Sequence, residues 1–197
     1  MMQDEIQTLR PDALSPAEIA EKAEKVGEAK AAMPKAKCFA SAMLAGAFIA
    51  FGALYFCVFL GDPSMPFAVQ RAVGGLCFCL GLVLVLCCGA ELFTGNTLIV
   101  ISVLDRQATV GGMLRNWLIV YVGNFLGSLL VAGICARFGW LGSGGLAAFS
   151  LRLAVTKMTM PFENAFFMGV LCNILVTLAV LLSLSAKDVA GRFLGAW

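Results

Sequence analysis

Few residues in this chain could do chemistry, and their types exclude most of it. There is no histidine, and the eight cysteines (38, 57, 77, 79, 87, 88, 135 and 172) sit mostly within apolar runs. There they pack as small, soft residues, and Cys77-x-Cys79 projects to two faces of a helix, so no metal site or disulfide framework is expected. No paired carboxylates and no cofactor motif are present, so no cofactor is expected and enzyme chemistry is the weakest reading. What remains is Gly89-Ala90-Glu91-Leu92-Phe93-Thr94-Gly95-Asn96-Thr97, set inside an apolar run from about residue 72 to residue 104. A carboxylate, two hydroxyls and an amide in such surroundings hold or steer a solute without covalent chemistry.

The run containing this stretch is too long for its setting. As one α-helix it would measure about 50 Å at roughly 1.5 Å per residue, against a hydrocarbon core about 30 Å thick. A break near Thr94-Gly95-Asn96 resolves the mismatch, because Gly95 accepts backbone angles other residues resist and Thr or Asn caps a restarting helix. Inside a membrane such a break is tolerable only within protein or beside a water-filled cavity, where transport proteins present helix ends to a solute. The competing reading ends the helix near Ala90 in a wet turn, which leaves Leu98-Ile99-Val100-Ile101 against the membrane surface. Glu91 reads as structural, accepting backbone N–H bonds near the break, since an exposed carboxylate there would repel anions.

Composition agrees with a membrane setting. The chain is 60% hydrophobic and only 13% charged, with the charge concentrated before residue 38, where a soluble domain carries about 25% charged residues. No basic, aromatic-interleaved patch points to nucleic acid, and no apolar h-region marks a cleavable signal peptide in the first 37 residues. Residues 1–14 read as loosely ordered. Ser15-Pro16-Ala17-Glu18 is a capping box that starts a helix running to about Met33. That helix is too polar to span and lies along the surface of its own protein or a neighbouring subunit.

Four spans follow. The first is Cys38–Leu60, with Ser41, Ala42, Ala45, Gly46 and Ala47 permitting close helix approach. After the turn at Gly61–Pro66 comes the interrupted second segment, from about Ala68, and then a polar turn at Asp105-Arg106-Gln107. Arg115-Asn116-Trp117 opens the third span, which reaches about Ala136 and carries a small-residue face with a buried amide at Gly123-Asn124. Residues 137–160 form a glycine-rich connection (Gly139, Gly142, Gly144, Gly145), and the fourth span runs from Phe162 to Leu184. The chain thus divides into a cytoplasmic segment (1–36), a transmembrane unit (37–186) and the start of a fifth segment (187–197). Lys and Arg placement, from Arg10 through Lys37 and on to Lys187 and Arg192, puts the N-terminus inside.

These residues resemble the formate/nitrite transporter family. The likeness rests on Glu91-Leu92-Phe93-Thr94-Gly95-Asn96, Asn116-Trp117 with Gly123-Asn124, Lys157 before the fourth span, and Gly169-Val170-Leu171-Cys172-Asn173-Ile174-Leu175-Val176, and it covers residues 15–197. It implies an all-α, aquaporin-like membrane fold of two inverted three-helix repeats, the second incomplete here, with a broken second transmembrane helix. It further implies a homopentamer in the cell inner membrane, one pore per protomer, conducting formate, nitrite, hydrosulfide, lactate or similar monovalent anions. Carried over residue by residue, Thr94 hydrogen-bonds the passing anion. Phe78, Leu82, Leu92, Phe93 and Val176 form apolar constrictions, Lys157 draws anions to the outer vestibule, and Asn173 adds a polar contact. Gly95 and Asn96 belong to the broken-helix loop with Glu91. The family's central histidine would follow in the fifth segment, beyond Trp197. The rival readings are therefore an anion channel or anion/proton cotransporter subunit, and a non-conducting fragment or assembly partner.

Overall fold

The computed structural model describes residues 13–142 and 145–197. Arg10, Gly144 and all but the end of the segment read as loosely ordered over residues 1–14 fall outside that range. Among the described residues regular structure is helical, apart from an isolated antiparallel bridge between Ala13 and Ala186. Helix α1 is Pro16–Ala31, and its capping box forms as the sequence implies: Ser15 N–H donates to Glu18 Oε2 (2.8 Å) and Glu18 N–H to Ser15 Oγ (3.4 Å). Among the described residues four helices are long and apolar enough to cross a membrane: α2 (Lys35–Leu60), α3 (Phe67–Cys88), α6 (Val110–Arg137) and α8 (Phe162–Ser185). Between α3 and α6 lie two short helices, α4 (Phe93–Asn96) and α5 (Ile99–Leu104).

The bundle is centred on α2, which packs along both α3 and α6. Small residues allow this. A methyl added at Gly123 of α6 would lie 2.5 Å from Ala42 Cβ of α2, a separation real side chains do not adopt. Cys38, Ala42 and Val120 form one buried cluster, and Ala45, Val85 and Ala90 form another that includes the break itself. Without water to satisfy backbone groups in a bilayer, attraction between such helices comes from close packing and hydrogen bonds rather than from burial of apolar area. Helix α8 is held more loosely, touching α1, α4 and the terminal helix α9 (Val189–Ala196), whose Asp188 cap accepts the Gly191 N–H at 2.8 Å.

Three sequence expectations shift. The interruption begins at Gly89, not at Thr94-Gly95-Asn96. Gly89 adopts φ +70°, the left-handed cap that glycine tolerates best, and residues 89–92 are non-helical. Thr94, Gly95 and Asn96 instead form most of α4. The third span starts at Val110, five residues before Arg115, because Thr109 Oγ1 accepts the Gly112 N–H (3.1 Å) and caps a helix through two glycines. Finally, the glycine-rich connection contains a 13-residue helix, α7 (Leu146–Met158). Its glycines sit before the helix, and Leu146-Ala147-Ala148 onward are good helix formers.

Candidate functional site

The break is built by residues from three other helices. Gly89 ends α3, and Ala90 N–H returns to Val85 O at 2.9 Å. Glu91 N–H reaches across to Ser41 O of α2 at 3.4 Å. The restart at Phe93 lacks a local side-chain cap, since its N-cap residue is Leu92. Asn124, near the middle of α6, supplies the cap: its Oδ1 accepts the Phe93 N–H at 2.9 Å. The same amide donates to Glu91 O (2.9 Å) and Ala42 O (2.8 Å). The amide protons of residues 90, 91, 93 and 96 thus all have protein partners. The expected cap from Thr or Asn of the loop itself gives way to one imported from α6. α4 is one turn long, too short to gather a helix dipole.

Beside the break lies a closed polar cluster. Lys30 of α1 donates to Glu91 Oε1 and to Asn96 Oδ1, both at 2.8 Å. Asn96 Nδ2 donates to Glu91 Oε2 (2.7 Å) and to Asn116 Oδ1 (2.8 Å), and Asn116 Nδ2 returns to Lys30 O (2.9 Å). Trp117 Nε1 donates to Asn96 O at 2.9 Å. Glu91 therefore accepts from an ammonium and an amide, not from the backbone N–H groups expected of it. The physical reason is cost: a carboxylate with only 4% of its side chain exposed needs an opposite charge in contact. Asn96, fully buried, is the hub that joins both sides.

Two polar side-chain atoms of the site residues are buried without a hydrogen-bond partner among the described residues: Thr94 Oγ1 and Asn173 Oδ1. Asn173 Nδ2 is occupied by Gly169 O at 2.9 Å, one turn back along α8. Thr177, one turn further on, meets the break: its Oγ1 lies 3.2 Å from Thr97 Oγ1 and donates to Thr94 O at 3.5 Å. Thr97 gives its proton to Thr94 O (2.7 Å), and the single Thr177 proton is shared between Thr97 Oγ1 and Thr94 O as alternative acceptors. Native structures satisfy nearly all buried polar atoms, so the open Thr94 hydroxyl on α4 and the open Asn173 amide oxygen on α8 are each available to an exogenous partner.

The apolar residues divide. Leu82 and Leu92 line a cavity of about 190 Å³ together with Lys30, Glu91, Gly95 and Asn96. α1 closes one side of it through Ala23, Val26 and Gly27, and Val180 of α8 closes another. Phe93 turns towards α6, with its ring edge-on to Trp117 (6.1 Å) and Tyr121 (5.6 Å). Phe78 stands higher on α3, against Phe56 at 6.1 Å. Val176 is half-buried on α8 between Asn173 and Thr177. Lys157 is exposed in the last turn of α7. It precedes α8, whose stretch from Phe162 to Val180 is about 27 Å long at 1.5 Å per residue, so this charge and the cavity belong to opposite ends of the bundle. Lys30, Asn116, Trp117 and Thr177 were not singled out from sequence as site residues. Asn116 and Trp117 carried a signal only as part of the family-like motif, and Lys30, one of three lysines in α1, carried none of its own.

Residues 17–197 match the family model described as formate/nitrite transporter. The chain is 37% identical to the formate channel FocA of Escherichia coli over 184 residues, covering 92% of this chain and 65% of that protein. It is 34% identical to the Haemophilus influenzae formate channel FocA, covering 97% of this chain and 68% of that one. It thus spans about two thirds of the length of these relatives. Among solved structures, a pentameric formate channel with formate bound superposes with a TM-score of 0.73 at 32% identity, covering 82% of this chain and 65% of that one. A second structure, described as an FNT family ion channel, gives 0.74 at 29% identity, covering 92% of this chain and 72% of the other.

Proposed function

The chain belongs to the formate/nitrite transporter family, and from that premise we propose that it passes small monovalent anions, formate or nitrite first among them, across a membrane. The observation that carries the reading is the unpaired Thr94 hydroxyl on a one-turn helix inside a broken span. A hydroxyl so placed donates to an anion that has shed water in an apolar passage, where a bare charge is otherwise costly. Leu82, Leu92 and Val176 bound that passage, with Phe78 and Phe93 above and beside it. Lys157 gathers anions at the far end. Glu91 does not oppose them, because Lys30 neutralises it at 2.8 Å. Asn173 adds an acceptor for water or for a protonated form of the solute.

Relatives named as formate channels support the substrate, and the likeness to a pentameric formate channel supports a homopentamer with one passage per protomer. The excess of Lys and Arg on the side of α1 supports a cell inner membrane location with a cytoplasmic N-terminus. Relatives and solved neighbours named as channels support a conduit. Purified protein in liposomes loaded with formate or nitrite tests this directly: efflux of either anion above that of protein-free vesicles is expected. Efflux equal to the protein-free rate contradicts the reading, and preferential release of hydrosulfide or lactate would reassign the anion.

A further inference from the structure

Asn124 is a half-buried amide that the anion passage itself does not use, yet all three of its side-chain bonds end at the break or beside it. We infer that Asn124 is the positioning residue that keeps the Thr94 hydroxyl free for a passing solute, an inference that rests on the anion-passage reading. A threonine near a helix start ordinarily turns its hydroxyl back onto the carbonyl three or four residues earlier, or a side chain at the N-cap closes the first turn. For Thr94 those carbonyls belong to Glu91 and Ala90. Residues 89–92 are non-helical, which removes the regular geometry towards Ala90. The Glu91 carbonyl is turned towards α6, where it accepts from Asn124 Nδ2 at 2.9 Å, and Thr94 Oγ1 makes no bond to it.

The second half of the device is the cap. A helix start needs an acceptor for its first N–H groups. At Phe93 that acceptor is Asn124 Oδ1, brought from α6. α4 therefore begins without recruiting its own side chains, and Thr94 Oγ1 is left unpaired. The third bond, to Ala42 O, ties the amide to α2 and fixes its orientation, so that donor and acceptor cannot exchange. Asn124 touches no solute in this scheme. It sets where the residue that does so points.

The test joins flux with hydrogen exchange on the full chain. Asn124→Leu removes all three bonds, and formate efflux should fall by about tenfold or more, the scale of one lost buried hydrogen bond. In a Thr94→Val background, where no hydroxyl is left to misdirect, Asn124→Leu should cost less than about threefold further. A purely structural residue would instead lower flux by the same factor in both backgrounds, and that result would overturn the inference. Asn124→Asp supplies a second variant. Protonated, it offers one donor and one acceptor, so its flux relative to wild type should rise as pH falls. A ratio flat with pH contradicts the assignment. Exchange of the Phe93 amide reads the same geometry without flux: it should quicken in Asn124→Leu, and unchanged protection there also overturns the inference. Should the wild type conduct nothing, the proposed function fails while the exchange result still decides the role of Asn124.

Discussion

Removing the Lys30 ammonium would leave the Glu91 carboxylate, buried at 4% exposure, with the Asn96 amide as its remaining side-chain donor. A buried charge stripped of its partner costs about 3 kcal/mol or more. Lys30→Met should therefore lower the unfolding midpoint in detergent well below wild type. Adding Glu91→Gln should restore most of the loss, because the amide needs no counter-charge. Equal midpoints for the single and double variants would show that the pair is not energetically coupled. At the opposite end, Asp62 accepts from Ser64 Oγ (2.7 Å) and Ser64 N–H (2.9 Å), and these bonds hold its carboxyl below the ordinary range. A carboxyl depressed on folding contributes stability present above its unfolded value, about 3.9, and lost as pH falls through the folded one. The Ser64 amide resonance should accordingly titrate with a midpoint below that of an unstructured aspartate, and a midpoint at or above it would contradict the bond. Thr94 and Glu91 stood out in the sequence because polar groups are rare in apolar runs. Lys30 and Thr177 did not, since nothing local to either residue encodes a partner more than sixty residues away.

Helices were legible where one sequence signal dominates, and misplaced where two compete. The capping box fixed the start of α1, and apolar length fixed α2 and α8 within a few residues. The third span was placed from Arg115, but Gly111 and Gly112 already lie in the first turn of α6, where Thr109 caps them. Gly95 read as the hinge, but the positive φ belongs to Gly89. A break stabilised by Asn124 from another helix carries no local signature at its own residues. Packing between α2 and α6 makes a matched prediction. Gly123→Ala forces a methyl against Ala42 and should cost about 1–3 kcal/mol. Gly133→Ala on the same helix meets nothing within 4 Å. It should be neutral or gain up to about 1 kcal/mol from helix propensity. Thermal unfolding of the two variants side by side checks the contrast, and a Gly123→Ala protein as stable as Gly133→Ala would show that the two helices are not in close contact.

At the scale of the molecule, a membrane setting followed from composition and spans from the length of the apolar runs, while the all-α, aquaporin-like fold was what the family resemblance implied. Motif spacing carried the family. The position of each side chain relative to a passage did not follow, since a Phe or Leu in a span reads the same whether it faces lipid, a neighbour or a solute. Phe93, packed on Trp117 and Tyr121, is the clearest case. The polar cluster, the imported cap and the loosely held α8 converge on one short helix, and the role of that helix turns on one hydroxyl. Formate efflux from liposomes carrying wild type, Thr94→Ser and Thr94→Val measures it. A hydroxyl that binds the passing anion predicts near wild-type flux for Thr94→Ser and a loss of about tenfold or more for the isosteric Thr94→Val. Equal flux through all three proteins would contradict it.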